Sequence, residues 1–125
     1  MKILVINPGS TTIKLALFND KNLLFEEKID HAKDQVFQEK FSKPGNIFNQ
    51  FEYRAKKIKE ILDEKKVGEL DAVVGRGGMM PSVPSGTYQI NETMLDALKN
   101  KALANHASNL GAPLAKSIAI EFKIA

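Results

Sequence analysis

The first thirty residues alternate apolar runs with short polar breaks. Lys2 to Ile6 (KILVI) is apolar at consecutive positions after the lysine, which is typical of a strand covered on both faces. Thr11 to Phe18 (TTIKLALF) alternates between two faces and predicts a second strand, and Leu23 to Ile29 (LLFEEKI) predicts a third. A polar turn from Asn19 to Asn22 separates the last two. The pattern predicts an antiparallel β-meander.

After a weakly patterned stretch from His31 to Gly45, the spacing of apolar residues changes to that of helices. From Ile47 to about Lys66 they recur at three- and four-residue steps, which predicts an amphipathic helix closed by Gly68. The charged run RAKKIKEILDEKK is interpreted as its solvated face, because acidic residues interleave with the lysines. Leu70 to Val74 then predicts a short strand.

The last part of the chain predicts two more helices. Asn91 is a suitable N-cap for a helix from Glu92 to about Leu103. Ser108 or Asn109 is expected to cap the final helix. Helix and strand alternation after a meander predicts an α/β fold with a mixed sheet.

Composition describes an ordinary globular domain and excludes several classes of protein. The 125 residues are 43% hydrophobic, enough for one core, and the formal charge of +3 leaves no strong electrostatic footprint for nucleic acid. With no cysteine, disulfides, thiolate catalysis and zinc-thiolate sites are excluded, which fits the cytoplasm. The apolar run before Asn7 is too short for a signal sequence or a membrane span, so we expect a soluble protein.

The stretch NPGSTTIK joins the first two predicted strands and is rich in groups that can bind an anion. Gly9 is expected to supply a positive φ in a tight connection, and a plain hairpin turn explains that residue alone equally well. Outward amides form a concavity for anions, Asn7 offers an oxygen that can orient water on a cation, and Lys14 adds a positive charge. The added hydroxyls are those of Ser10, Thr11 and Thr12. Together these residues predict a phosphate site.

Neither glycine-bearing stretch matches a common nucleotide motif. The chain after Gly9 lacks the second Gly and the Lys of a Walker A loop, and GRGGMM has Met80 at its sixth position with no helix following. Arg76, on a glycine-rich break after a strand, can bind a carboxylate or phosphoryl group through two nitrogens, although it can equally be a surface arginine in a turn. His106 can donate to a transferring oxygen or be merely structural.

Four segments in this order and spacing closely resemble the N-terminal part of butyrate kinases, in the acetate and butyrate kinase family: INPGSTTIK, DAVVGRGG, SGTYQINETMLDAL and HASNLGAPLAKSIA. The resemblance covers nearly the whole chain and is weakest from Ile29 to Lys66. It implies that residues 1–125 form the N-terminal, RNase H-like domain of a two-domain acyl kinase. The C-terminal domain, with the adenosine pocket, is absent from this chain.

The resemblance also implies an activity and a set of site residues. Family members use ATP and Mg²⁺ to phosphorylate a short-chain carboxylate, reversibly, and form dimers or larger assemblies. By position, Asn7 resembles the residue that helps place Mg²⁺, Arg76 the arginine on the carboxylate, and His106 a histidine on the phosphoryl group. The implied nucleotide contacts are Asn7, Gly9, Ser10, Thr11, Thr12 and Lys14. Ile13 and Ser85 depart from the usual Thr and Gly.

The resemblance leads to further expectations about substrate, partners and activity, and it leaves two alternatives. The substrate is expected to be butyrate or isobutyrate, with no nucleic-acid or membrane partner. Because the sequence stops in mid-pattern at EFKIA, it resembles an excised piece, and the isolated chain is expected to have little or no kinase activity. The alternatives are a kinase that prefers acetate, propionate or a branched-chain acid, and a non-catalytic binding or structural module of the same fold.

Overall fold

The computed structural model describes residues 1–124, which form one open four-stranded mixed sheet covered by helices. Strands β1, β2 and β3 form the predicted antiparallel meander, and β4 pairs with β1 in parallel, giving the order β3-β2-β1-β4. The strands are β1 (Lys2–Pro8), β2 (Thr12–Asn19), β3 (Asn22–Asp30) and β4 (Ala72–Gly75). The α/β expectation is confirmed. Ala125, the last residue of the predicted domain, lies outside the described residues.

Four α-helices and three short 3-10 turns complete the described chain. Helix α4 packs on β4 and β1, and α2 packs on α4. The α-helices are α1 (Gln35–Phe41), α2 (Phe51–Glu64), α3 (Glu92–Asn100) and α4 (Gly111–Glu121), and the 3-10 turns are His31–Lys33, Ile47–Gln50 and Ala107–Leu110. None of the helices within residues 1–124 is long and apolar enough to cross a membrane.

The core lies between one face of the sheet and the helices α2 and α4. Its central residues are Leu4, Ile6, Ile13, Leu15, Leu17, Ala55, Ile58, Leu62, Leu114, Ala115 and Ile118. On β1 these alternate with Ile3 and Val5, which are only half-buried. The prediction that both faces of this strand are covered was therefore wrong for residues 1–124, since only one face is fully buried.

Three local features differ from the sequence prediction. Helix α1 was missed, because it is short and its clearest signal is one N-cap, Asp34, which accepts from the Val36 amide at 3.0 Å. Helix α2 ends at Glu64, and Lys66 rather than Gly68 takes the left-handed conformation, with φ 56°. Helix α3 ends at Asn100, although its predicted cap by Asn91 is confirmed by a 2.8 Å bond from the Met94 amide.

The final helix also starts differently. Helix α4 begins at Gly111 without a side-chain cap. Of the two expected caps, Ser108 bonds to His106, while the Asn109 side chain donates to the Ala104 carbonyl of the preceding loop and accepts from the distant Met79 amide. Their side chains fix the chain ahead of the helix rather than the helix itself.

His31 is fully buried in an aromatic cluster beside the meander. Its ring stacks on Phe37, with centroids 5.1 Å apart, and meets the edge of Tyr53 at 5.2 Å. Neither ring nitrogen has a hydrogen-bond partner among the described residues. Burial, assisted by the charges of Arg54 and Lys57, lowers the pKa of His31 from 6.5 to about 4.

We expect His31 to make the fold sensitive to mild acid. The folded state keeps the ring neutral while the unfolded chain takes up a proton below its pKa of 6.5, so this stability is present above pH 6.5 and is lost as the pH falls toward 4. Relative to a His31→Phe variant, the free energy of unfolding of the wild type should fall by up to about 1.4 kcal/mol per pH unit in that window. Urea unfolding at a series of pH values measures this difference.

The matched control is Phe41→Leu, which changes the same aromatic cluster without removing a titratable group. That variant should keep the pH slope of the wild type. Parallel stability curves for the wild type and His31→Phe would contradict the assignment.

Candidate functional site

The parallel pairing of β1 with β4 brings two predicted site residues to one edge of the sheet. Ile6 pairs with Gly75, and the Arg76 amide donates to the Ile6 carbonyl at 2.9 Å. Asn7 and Arg76 are the next residues along these two strands. Because the carboxyl ends of parallel strands meet at the same edge, the two residues lie side by side there.

Lys14 lies on the neighbouring strand, directly opposite Asn7. The antiparallel register of β1 and β2 pairs Asn7 with Lys14, and residues paired in this way project to the same face of the sheet. Lys14 is exposed and Asn7 is half-buried. The structure thus places the amide oxygen and the ammonium group at the base of the same turn.

Gly9 has a different role from the one expected. Its φ is not positive, so the prediction of a left-handed glycine was wrong. A Cβ at this position would lie 2.7 Å from the Thr12 hydroxyl oxygen, and the Gly9 amide donates to the Thr12 carbonyl at 2.7 Å. The turn needs glycine because the chain passes so close to Thr12.

The carbonyl groups of the turn are held from inside the molecule. Those of Ser10 and Thr12 accept from the Arg54 guanidinium at 2.8 and 3.1 Å, and that of Thr11 accepts from the His31 amide at 2.8 Å. In a trans peptide the following N–H points opposite to the carbonyl, and the described chain has no cis peptide. The amides of Thr11 and Thr12 therefore point away from these internal donors.

Arg54 is the residue that the sequence prediction missed. It was assigned to the solvated face of α2, but its side chain is 0% exposed. It lies three residues after Phe51 and four before Ile58, which is the spacing of the buried stripe. That spacing was the available signal.

The segment that carries Arg76 packs tightly on the turn that follows His106. A Cβ at Gly75 would lie 2.2 Å from the Gly111 carbonyl oxygen, and Gly77 and Gly78 have φ of 86° and 136°. The Met79 amide donates to the buried Asn109 side chain at 2.8 Å. These contacts bring the predicted Arg76 and His106 onto adjoining segments.

His106 is oriented by its own turn. Its Nδ1 accepts from the Ser108 amide at 3.0 Å and lies 2.8 Å from the Ser108 hydroxyl. A nitrogen that accepts from an amide carries no proton, so the neutral ring holds its proton on Nε2. The exposed ring therefore presents a hydrogen-bond donor.

Arg76 lines a cavity of about 900 Å³ beside the outer edge of β4. Within the described residues its exposed guanidinium has no hydrogen bond or ion pair. Lining residues include Met80, Val83, Ile90, Ala115 and Lys116. The lining also contains polar residues such as Thr87 and Gln89, and a cationic group beside this mixed lining suits a ligand with a carboxylate and an apolar chain.

Comparisons with known proteins support the resemblance. A probable butyrate kinase of Listeria innocua is 44% identical over 119 residues, which cover 94% of this chain and 32% of the relative. Butyrate kinase 1 of Clostridium acetobutylicum is 40% identical over 125 residues, and a probable butyrate kinase of Clostridium botulinum is 41% identical over 125 residues, each match covering 98% of this chain and 34% of the relative. The chain is homologous to the butyrate kinases.

The match to butyrate kinases covers nearly all of this chain but only part of each relative. The chain spans about a third of the length of the curated relatives it matches. No protein-family model matches it. The resemblance to butyrate kinases suggested by the four segments is thus confirmed, whereas the roles of individual residues stay predictions.

The donor set does not form a magnesium site by itself. Magnesium is usually bound by one or two carboxylates together with water and substrate phosphates. Residues 1–124 contain no group of three or more His, Cys, Asp or Glu side chains placed to hold a metal ion. Asn7, which the resemblance connects with Mg²⁺, offers a neutral amide oxygen that can contact a hydrated ion.

The close approach of Gly75 and Gly111 predicts a strong steric effect. Gly75→Ala would force its methyl group onto backbone, which cannot move aside as a side chain does, and should lower the free energy of unfolding by about 1–3 kcal/mol. Gly68→Ala is the matched control, because nothing lies within 4 Å of a Cβ there, and it should stay within about 0.5 kcal/mol of the wild type. Urea unfolding measures both. Equal stability of the two variants would contradict this packing.

Proposed function

We propose that residues 1–125 are the N-terminal, RNase H-like domain of a two-domain cytoplasmic kinase that transfers a phosphoryl group between ATP and a short-chain carboxylate. Butyrate is the substrate we favour, and the reaction runs in both directions. The names of the relatives and their greater length support this proposal. Under it, the present chain supplies one wall of the active site.

The observation that carries the proposal is the meeting of three segments at one edge of the sheet. The turn after β1, the break after β4 and the turn after His106 adjoin there through the strand register and the glycine contacts. Each presents hydrogen-bond donors or cations: exposed amides, Lys14, Arg76 and the imidazole. A site made of donors and cations suits polyphosphate and carboxylate.

Phosphoryl transfer requires positioning and charge neutralisation more than acid-base chemistry. The carboxylate is already ionised at pH 7, so no general base is needed. One of its oxygens forms the new bond to the γ-phosphorus while the bond to the β-phosphate oxygen breaks and ADP leaves. Arg76 would hold the carboxylate in line, and the Nε2 proton of His106 would bind an oxygen of the transferring group.

The turn from Asn7 to Lys14 would bind the phosphates of ATP through the amides of Thr11 and Thr12, the hydroxyls and Lys14. Magnesium enters this proposal only as the ion that accompanies ATP. Closure of the second domain would exclude water, since hydrolysis competes with transfer.

A chimera tests the proposal directly. This chain, joined to the remaining two-thirds of the Clostridium acetobutylicum relative, should form an acyl phosphate from ATP and butyrate, which hydroxylamine traps as a coloured hydroxamate. Arg76→Ala should lower kcat/KM for butyrate by about 100-fold, the loss expected for a bidentate contact of roughly 2–3 kcal/mol. Lys56→Met, on the exposed face of α2, removes a cation without affecting the rate.

The same assay separates the alternatives. The 125-residue chain alone should produce no hydroxamate above background. Higher efficiency on acetate or isobutyrate than on butyrate would replace our choice of acceptor. A hydrophobic pocket distinguishes homologous acids by only about 1–3 kcal/mol per methylene. A folded chimera that is inactive on all three acids would favour a non-catalytic module. Near-normal efficiency of Arg76→Ala would show that Arg76 is a surface residue in a turn and does not bind the carboxylate.

A further inference from the structure

Arg54 is a fully buried cation whose hydrogen bonds go only to neutral groups. Its Nε donates to the Gln50 side chain at 3.0 Å, and its two terminal nitrogens donate to the Ser10 and Thr12 carbonyls. Among the described residues, no carboxylate lies within ion-pair distance of it. Burial lowers the pKa of Arg54 to about 10, so the guanidinium is still charged at pH 7.

A buried charge without a counterion is costly to a fold. The effective penalty is several kcal/mol per ion, and buried cations are normally paired with a carboxylate. Holding two carbonyl groups does not require a charge, since a neutral amide donates as well. The charge is therefore unexplained by the fold of residues 1–124 alone, whereas an anion bound on the outer side of the turn would compensate it.

The geometry of the Arg54 hydrogen bonds is a second reason to connect this residue with anion binding at the turn. The planar fork binds Ser10 and Thr12 at the same time, and this fixes the peptide planes on both sides of Thr11. With the carbonyls turned inward, the amides of Thr11 and Thr12 are turned outward. The same side chain thus orients the donors of the turn and places a positive charge behind them.

We propose that Arg54 is a positioning residue of the phosphate turn, acting through the backbone of residues 10–12 and through its uncompensated charge. This inference rests on the proposed function, because it requires the turn to bind phosphate. Arg54 touches no substrate in this arrangement. It presets the turn for a polyphosphate before the ligand arrives.

Titration of the ¹⁵N-labelled chain with inorganic tripolyphosphate, followed by NMR, tests the proposal. In the wild type the amides of Thr11 and Thr12 should shift and saturate. Arg54→Met should weaken binding by about tenfold or more, the loss expected for removing charge-assisted interactions. Arg54→Lys, which keeps the charge but not the fork, should fall between the two.

Lys56→Met is the matched control, since it removes an exposed cation from the same helix, and its affinity should stay within about twofold of the wild type. If Arg54→Lys binds as weakly as Arg54→Met, the role of the charge is overturned, because both variants lack the fork and only the lysine keeps the charge. If Arg54→Met fails to fold, a tripolyphosphate affinity of Arg54→Lys equal to that of the wild type overturns the role of the fork, and an affinity weaker by about threefold or more supports it.

The failures of this inference and of the proposed function are distinguishable. If the wild type binds tripolyphosphate at the turn and folded Arg54→Met binds equally well, the role of Arg54 is overturned and the phosphate turn survives. If the wild-type turn amides do not respond at all, the phosphate turn itself is wrong, and this inference falls with it.

Discussion

The candidate site depends on the parallel pairing of two short strands. Only four residue pairs join β1 to β4, yet they determine that the chain leaves both strands at one edge, with Asn7 beside Arg76. At the end of this pairing, Gly75 contacts Gly111 so tightly that no side chain would fit. A slip by one residue would turn every side chain of β4 to the other face of the sheet. The packing of α4 on β4 is therefore also what places Arg76.

Three cations lie around the turn, where one acidic residue, Asp30, pairs with Thr12. Lys14, Arg76 and the buried Arg54 supply cations, and the turn adds amides and hydroxyls. Transfer between two anionic groups needs such an environment, because like charges on nucleophile and phosphate repel until they are neutralised. A carboxylate nucleophile needs no base, so an acidic residue would bring no advantage to this wall. The composition of the site thus suits the proposed transfer.

Local patterns predicted the parts of the fold that depend on local physics. Alternation gave the meander, and Asn91 marked the start of α3, since strand faces and caps are properties of neighbouring residues. Arg54 was misassigned because its partners lie 42 and 44 residues away. Gly9 was predicted to be needed for a positive φ. It is needed instead because the chain passes close to Thr12, a contact that the sequence alone does not reveal. The RNase H-like assignment and the site roles come from resemblance and stay predictions.

The central claim is that the three segments form one binding surface. The most direct test is an NMR titration of the labelled chain with a stable phosphonate analogue of butyryl phosphate, observing the Thr11 amide, the Arg76 Nε–H group and the His106 ring together. All three signals should move with a single dissociation constant if the segments form one surface. Signals that move at one segment alone, or with unrelated dissociation constants, would contradict it.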